Sequence, residues 1–185
     1  MIKSDKTPPV VTGVKTVTKS RLFHIEQVNL KFSNGTEVEY ERLKTSTTGA
    51  VLIVPMLDDN TVLLIREYAA GVERYELALP KGKIDPGETM FEAANRESQE
   101  ETGYAANKLS LLKSLSIAPS YQSHVTHIIL AESLYESPAE GDEPESIEVI
   151  PWKLSALNEL LEHKECTEAR SIAALFMARE KLATR

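Results

Sequence analysis

Residues 89–103, TMFEAANRESQEETG, constrain the chain more than any other stretch, because they define a helix, both of its ends and the charge on one of its faces. Thr89 followed by Glu92 is a capping-box pair, in which the hydroxyl takes an amide of the first turn and the glutamate reaches back to the threonine amide. Gly103 stands where a helix closes in a left-handed residue. On a wheel of 3.6 residues per turn, Glu92, Asn95, Gln99 and Thr102 share the side predicted to be solvated; Glu97, Glu100 and Glu101 fall opposite, with Met90, Ala93 and Ala94. A solvated face is the ordinary reading of an acidic cluster, but here the polar side is already supplied elsewhere on the helix. Like charges one turn apart repel by about 0.2–0.5 kcal/mol per pair in water, and more when desolvated. Arg96 is a single positive charge against three. A hard divalent cation would compensate the rest, since Mg²⁺ takes one or two carboxylates and shares its other positions with water and phosphate.

Composition limits the partners. The chain has 185 residues, of which 42% are hydrophobic, enough for one well-buried domain with a small accessory piece. A formal charge of −7 and a pI near 5.2 argue against a sequence-independent grip on DNA or RNA, which needs lysines and arginines against phosphates. Cys166 is the only cysteine, which excludes an internal disulfide and suits a reducing compartment. The longest apolar run, Gly49 to Leu57, is far short of the roughly 20 residues that span a bilayer, and residues 1–20 lack the apolar core of a signal peptide. The expectation is a cytoplasmic protein with no membrane partner.

Residues 1–20 are read as an extended lead-in. LFHIEQVNLKF and TEVEYERLK, joined by Ser33-Asn34-Gly35, form a hairpin signal that makes 21–46 a small β subdomain. AVLIVPM and TVLLIREY are continuous apolar runs that suit strands covered on both faces. RYELAL is a short strand leading into a loop rich in glycine and proline, and LSLLKSLSI and HVTHIILAES are further strands. After the acidic loop SPAEGDEPESIEV come two amphipathic helices, marked by Leu154, Leu157, Leu160 and Leu161 and by Ile172, Leu175 and Phe176.

GKIDPGETMFEAANRESQEETGY, residues 82–104, resembles the signature of the Nudix hydrolases: Gly82, Glu88, Arg96, Glu97, Glu100, Glu101 and Gly103 match it with every spacing kept. Ser98 and Tyr104 stand where that pattern has aliphatic residues. The resemblance implies an α+β fold, an α/β/α sandwich around a mixed sheet over residues 47–185, preceded by a small N-terminal antiparallel sheet that in relatives helps form a homodimer. It implies metal coordination by Glu97 and Glu101, with Glu100 as a further ligand or a base, and by the backbone carbonyl of Lys81. Mg²⁺ is the implied ion, with Mn²⁺ or another divalent cation as substitutes. Glu88 and Arg96 would form a bracing ion pair, Gly82 and Gly87 would allow the loop its unusual backbone angles, and Gly103 would be a structural position of the same signature.

Beyond the signature, VLLIREYAAGVERYELALPKGKIDPGE and GDEPESIEV resemble the ADP-sugar and ADP-compound pyrophosphatase branch. This implies hydrolysis of ADP-ribose, NADH and short diadenosine polyphosphates to AMP and the other phosphorylated half. In that branch a late loop carries the general base; Glu145 fits by position, with Glu143 next, against the alternative of a solvated acidic loop. Arg66 can bind phosphate or form an ion pair at the edge of the core. Tyr40 can stack on adenine or simply pack. An arginine common in relatives after the aromatic of this strand is absent, since Ala69 follows Tyr68. The rival readings are a nucleoside triphosphate pyrophosphatase, which the long N-terminal hairpin disfavours, and a non-catalytic nucleotide sensor, which would lack the acids present here.

Overall fold

A computed structural model describes residues 6–45, 48–141 and 144–184. By internal contacts the chain forms two units, one from Met1–Thr47 and Ser116–His124 and the other from Thr48–Leu115 and Val125–Arg185.

The first unit is an antiparallel sheet of β1 (Val10–Lys19), β2 (His24–Lys31) and β3 (Glu37–Leu43), in the order β1-β2-β3. The sequence reading of residues 1–20 as a lead-in is corrected here, because Val10–Lys19 pairs with β2 along its length, with irregularities between Val11 and Gly13 and between Thr16 and Thr18. Threonines and valines favour a pleated strand even with little burial; the strand carries no long apolar run, which is why it reads as a lead-in. The β2–β3 hairpin follows the expected signal in a particular form. Gly35 N–H donates to Phe32 O and Phe32 N–H to Thr36 O, and of the turn residues only Gly35 takes positive φ (85°). That is a three-residue turn closed by a left-handed glycine rather than a two-residue Asn-Gly turn.

The second unit is the sandwich. β4 (Ala50–Pro55) lies in a mixed sheet with β7 (Lys81–Lys83), β8 (Tyr104–Ser116) and β9 (Val125–Glu136), ordered β7-β4-β9-β8, parallel to β9 and antiparallel to β7. β5 (Thr61–Ala69), β6 (Arg74–Ala78) and β10 (Glu148–Lys153) form a three-stranded antiparallel sheet ordered β10-β5-β6. The sequence reading ends the acidic loop at Val149, inside β10, and assigns no strand to the rest of it. Pro151 interrupts its pattern, and a proline suits the edge position this strand holds, where its missing N–H breaks no ladder.

β4 shows why the unit has two cores. Successive strand residues face opposite ways. Leu52 and Val54 join Leu64, Leu77, Leu130, Ala174, Leu175 and Ala178. Val51 and Ile53 join Ala93, Ala94, Ile129 and Ala131. One face therefore meets α1 (Met90–Thr102) and the other α3 (Ala169–Ala183), with the short α2 (Leu157–Leu161) on the α3 side. Each large aliphatic fully removed from water contributes about 1.5–3 kcal/mol, so the continuous apolar run of β4 requires cover on both faces. Among the described residues no helix is long and apolar enough to cross a membrane.

Candidate active site

α1 begins and ends as its sequence dictates. Thr89 Oγ1 accepts from Glu92 N–H at 3.2 Å while Glu92 Oε2 accepts from Thr89 N–H at 2.8 Å. Gly103 closes the helix at φ 79°, its N–H donating to Gln99 O at 3.0 Å. Ala93 and Ala94 are fully buried, and their small side chains let α1 approach β4 closely. The acids turn inward with them: Glu97 is 9% exposed and Glu101 5%.

The opposite side of the wheel needs correction. Of its four residues only Glu92 is exposed. Thr102 is buried and donates to Ser98 O at 2.5 Å, Asn95 exchanges hydrogen bonds with the backbone of Ala106, and Gln99 donates to Ser137. Polar side chains here bond the helix's own backbone, Ala106 and Ser137. Ser98, fully buried at a position where the signature has an aliphatic, lies 3.4 Å from the Thr102 hydroxyl.

The segment facing the acids is held from the sheet. Leu79 N–H donates to Ser171 Oγ at 3.0 Å, and Ser171 Oγ donates to Glu168 Oε2 at 2.8 Å, tying the end of β6 to the start of α3. Pro80 O accepts from Ile53 N–H, and β7 then pairs Lys81 with Leu52 and Gly82 with Val51. Lys81 N–H reaches Glu101 Oε2 at 2.8 Å. Gly82 makes room for an acid and does not serve an unusual backbone angle: its φ is not positive, unlike that of Gly87 (96°), and a Cβ there would force the Glu97 carboxyl group to shift.

Arg96 ties the loop to the helix. It meets Glu88 through two parallel bonds, 2.8 Å from Nε to Oε1 and 3.0 Å from Nη2 to Oε2, and Nη2 also donates to Lys83 O at 2.9 Å. Its Nη1 reaches Glu97 Oε1 at 2.8 Å and Glu100 Oε2 at 3.1 Å. The Arg96 bonds, then the Asp85 N–H, hold the Glu88 carboxyl below its ordinary range. Glu101 is bonded to the Lys81 backbone N–H, and the Lys81 ammonium acts on it by its charge. Burial pushes its carboxyl up to about 8 against the opposing influence of Lys81, and the charges of Glu67 and Glu97 add to the rise.

These residues line a cleft of about 660 Å³ that includes Glu67, Lys81, Gly82, Arg96, Glu97, Glu100 and Glu101. Glu145 lines an adjoining recess of about 470 Å³ that shares Glu100 and Glu101 with the cleft, and Tyr75 OH donates to Glu145 Oε1 at 2.7 Å. The fold therefore brings Glu97, Glu100, Glu101, Lys81 and Glu145 to one place. Glu143 lies outside the described residues. Arg66 goes elsewhere: its guanidinium is held by Glu148 at 2.5 Å and Glu165 at 2.9 Å, the ion-pair alternative of the sequence reading. Tyr40 stands on β3 in the N-terminal unit, on a groove shared with Val28, Leu30 and Tyr121. Glu67, which lines the cleft, and Tyr75, which bonds Glu145, are residues that sequence reasoning missed. On β5 the alternation of Arg66, Glu67 and Tyr68 indicates that one side chain opposes the other two, but not which side is the cleft.

The donor set is all oxygen, which suits a hard divalent cation. Among the described residues no three Asp, Glu, His or Cys side chains are already gathered as a cage. Arg96 Nη1 sits between Glu97 and Glu100, so an ion would take the place of that contact.

Two family models match the chain, "NUDIX domain" over residues 46–176 and "NudE-type Nudix hydrolase N-terminal domain" over residues 9–42. The chain belongs to the Nudix hydrolase family. It is 51% identical to the ADP compounds hydrolase NudE of Escherichia coli over 94% of this chain and 93% of that one. With the ADP-ribose pyrophosphatase of Bacillus subtilis it shares 31% identity over 87% and 90% of the two chains. A crystal structure of an ADP compounds hydrolase superposes with a TM-score of 0.91, at 48% identity and covering 98% of each chain. As a Nudix hydrolase the chain carries the signature on α1 and on the loop before it.

Proposed function

We propose that this Nudix hydrolase cleaves the pyrophosphate bond of ADP-linked compounds, ADP-ribose, NADH and short diadenosine polyphosphates among them, releasing AMP and the other phosphorylated half. The observation that carries the reading is one capped helix presenting Glu97, Glu100 and Glu101 to a cleft, in a chain 51% identical to an ADP compounds hydrolase over nearly its whole length. Glu97, Glu101, Glu100 and the Lys81 carbonyl would hold Mg²⁺ or Mn²⁺. When bound, such an ion supplies a coordinated water of lowered pKa and neutralises phosphate oxygens.

The protein's own groups do the rest. Glu145 accepts the proton of the attacking water as its oxygen bonds to phosphorus and the bridging P–O bond breaks; a well-placed base contributes about 10²–10⁴-fold. Tyr75 orients Glu145 through its hydroxyl. Glu88 and Arg96 brace the loop against α1. Gly82 leaves room for the Glu97 carboxylate.

The assembly in this reading is a cytoplasmic homodimer. Val10, Val11, Val14 and Val17, all about half exposed or more on β1, support a second copy as the cover for this sheet, and the mass in solution checks it.

The test is a metal-dependent panel of ADP-ribose, NADH, diadenosine triphosphate and a nucleoside triphosphate, with products identified. AMP from the ADP-linked compounds and little turnover of the triphosphate is the expected result; preference for the triphosphate would replace this reading with the sanitising one. Glu145→Gln is expected to lower kcat about 10²-fold, and unchanged turnover would move the base elsewhere.

A further inference from the structure

The anionic diphosphate of the proposed substrate must enter a cleft lined by Glu67, Asp85, Glu97, Glu100, Glu101 and Glu140. Bound cations would offset part of that charge, yet a direct side-chain donor to the phosphates is unassigned, because Arg66 is held by Glu148 and Glu165. Three cationic side chains line the cleft, Lys81, Lys83 and Arg96. Arg96 is anchored through Nε and Nη2 to Glu88 and the Lys83 carbonyl, which aims its remaining Nη1 at Glu97 and Glu100 on α1. Lys83 is exposed, and no carboxylate among the described residues anchors it, so a ligand would have to order its entire side chain.

Lys81 differs from both. Its Nζ lies 2.6 Å from Glu67 Oε2. An ammonium has three donors, and among the described residues Glu67 takes one of them. The base of the side chain is equally fixed, since Lys81 N–H is bonded to Glu101 and β7 is paired with β4. The side chain is 25% exposed, which leaves the head reachable from the cleft while its stem is packed.

Building on the reading above, we infer that Lys81 Nζ, pre-positioned by Glu67, donates to the non-bridging oxygens of the substrate diphosphate. Glu67 then serves as the anchor of the phosphate donor and not as a further metal ligand. The two roles of Lys81 separate by atom, with the carbonyl toward the cation and the ammonium toward the anion.

The opposite charges of the two ligands make the test discriminating. Methylenediphosphonate and a methylene-bridged analogue of ADP-ribose, neither hydrolysable at the bridge, are titrated by calorimetry in the presence of Mg²⁺, and Mn²⁺ binding is followed separately by electron paramagnetic resonance. Lys81→Met is expected to weaken both phosphonates about tenfold or more, the scale of a charge-assisted hydrogen bond, and to raise KM for ADP-ribose alike. Mn²⁺ binding should stay the same or tighten, because a positive charge beside Glu101 has been removed. Lys81→Arg should recover most of the anion affinity, and Glu67→Gln should cost about threefold. Equal weakening of Mn²⁺ and phosphonate binding would show a lysine that only supports the loop and would overturn the inference, as would parent-like phosphonate affinity in Lys81→Met. Lys81-dependent binding of methylenediphosphonate by a protein that turns over no ADP-linked compound would sink the substrate reading and leave this inference standing.

Discussion

Two glutamates with little exposed surface, one in each unit, have carboxyl pKa values displaced in opposite directions. Glu26 on β2 is 3% exposed and meets Arg42 at 2.9 and 3.1 Å and Lys44 at 2.9 Å. The Lys44 bond, then that of Arg42, holds its carboxyl below the ordinary range. Glu101 on α1 is 5% exposed and has one backbone N–H from Lys81. Burial drives its carboxyl up to about 8. The shifts run in opposite directions because two cations bonded to Glu26 outweigh its desolvation, whereas at Glu101 desolvation outweighs the charge of Lys81. A group whose desolvation is uncompensated within the protein marks where a cation belongs.

The largest expected effect comes from removing that uncompensated charge. Glu101→Gln should lower kcat by about 10³-fold or more with the fold retained, as the loss of a carboxylate essential to the metal-assisted step. The same variant should be more stable than the parent in metal-free buffer at alkaline pH. With a folded pKa raised from 4.5 to about 8, the stability associated with protonated Glu101 is full below pH 4.5 and is lost as pH rises through about 8. Glutamine never ionises, so the gain above pH 8 is on the order of a few kcal/mol, readable by thermal melts across pH. A variant that stays fully active, or that loses stability at high pH, would break the contrast between the two glutamates.

Crowding the cleft without changing its charge tests geometry next. Gly82→Ala should displace the Glu97 carboxylate and lower turnover and Mn²⁺ affinity together, by about 10–100-fold, while the melting temperature shifts little. If cation binding survives unchanged, Glu97 does not need the position it holds.

The smallest effect on catalysis belongs to the compensated partner. Glu26→Gln should leave kcat in the metal-dependent panel within about twofold of the parent and lower the melting temperature, since Arg42 and Lys44 lose their shared acceptor. Because the folded pKa of Glu26 is lowered, its contribution is present above the ordinary carboxylate range and is lost as pH falls through the folded value. Parent and variant melting curves should therefore converge in acid.

Much of the second unit was legible in the sequence because local rules and tertiary needs agree there. The capping box and closing glycine of α1, the doubly apolar run of β4 and the helical leucines near the C-terminus each have one inexpensive solution. Where they disagreed, the reading missed. β1 lacks an apolar run and is a strand because β2 offers it a partner. β10 carries a proline and is a strand because it sits at an edge. The supposedly solvated side of α1 is covered because β8 and Ser137 pack across it.

By itself the sequence determined a capped helix with its acids opposite Glu92, which follows from backbone period, and its motif spacing carried the resemblance to the family; that Gly82 faces the Glu97 carboxyl came from the structure. Only the tertiary structure decided that Arg66 is committed to Glu148 and Glu165 and that Lys81 reaches Glu67 in the cleft. It also decided that Glu145 meets Tyr75, 70 residues away in sequence. Charge partners separated along the chain are selected by which strands pair and which loops return, and that choice is made by burying apolar surface, with no trace in the charges themselves.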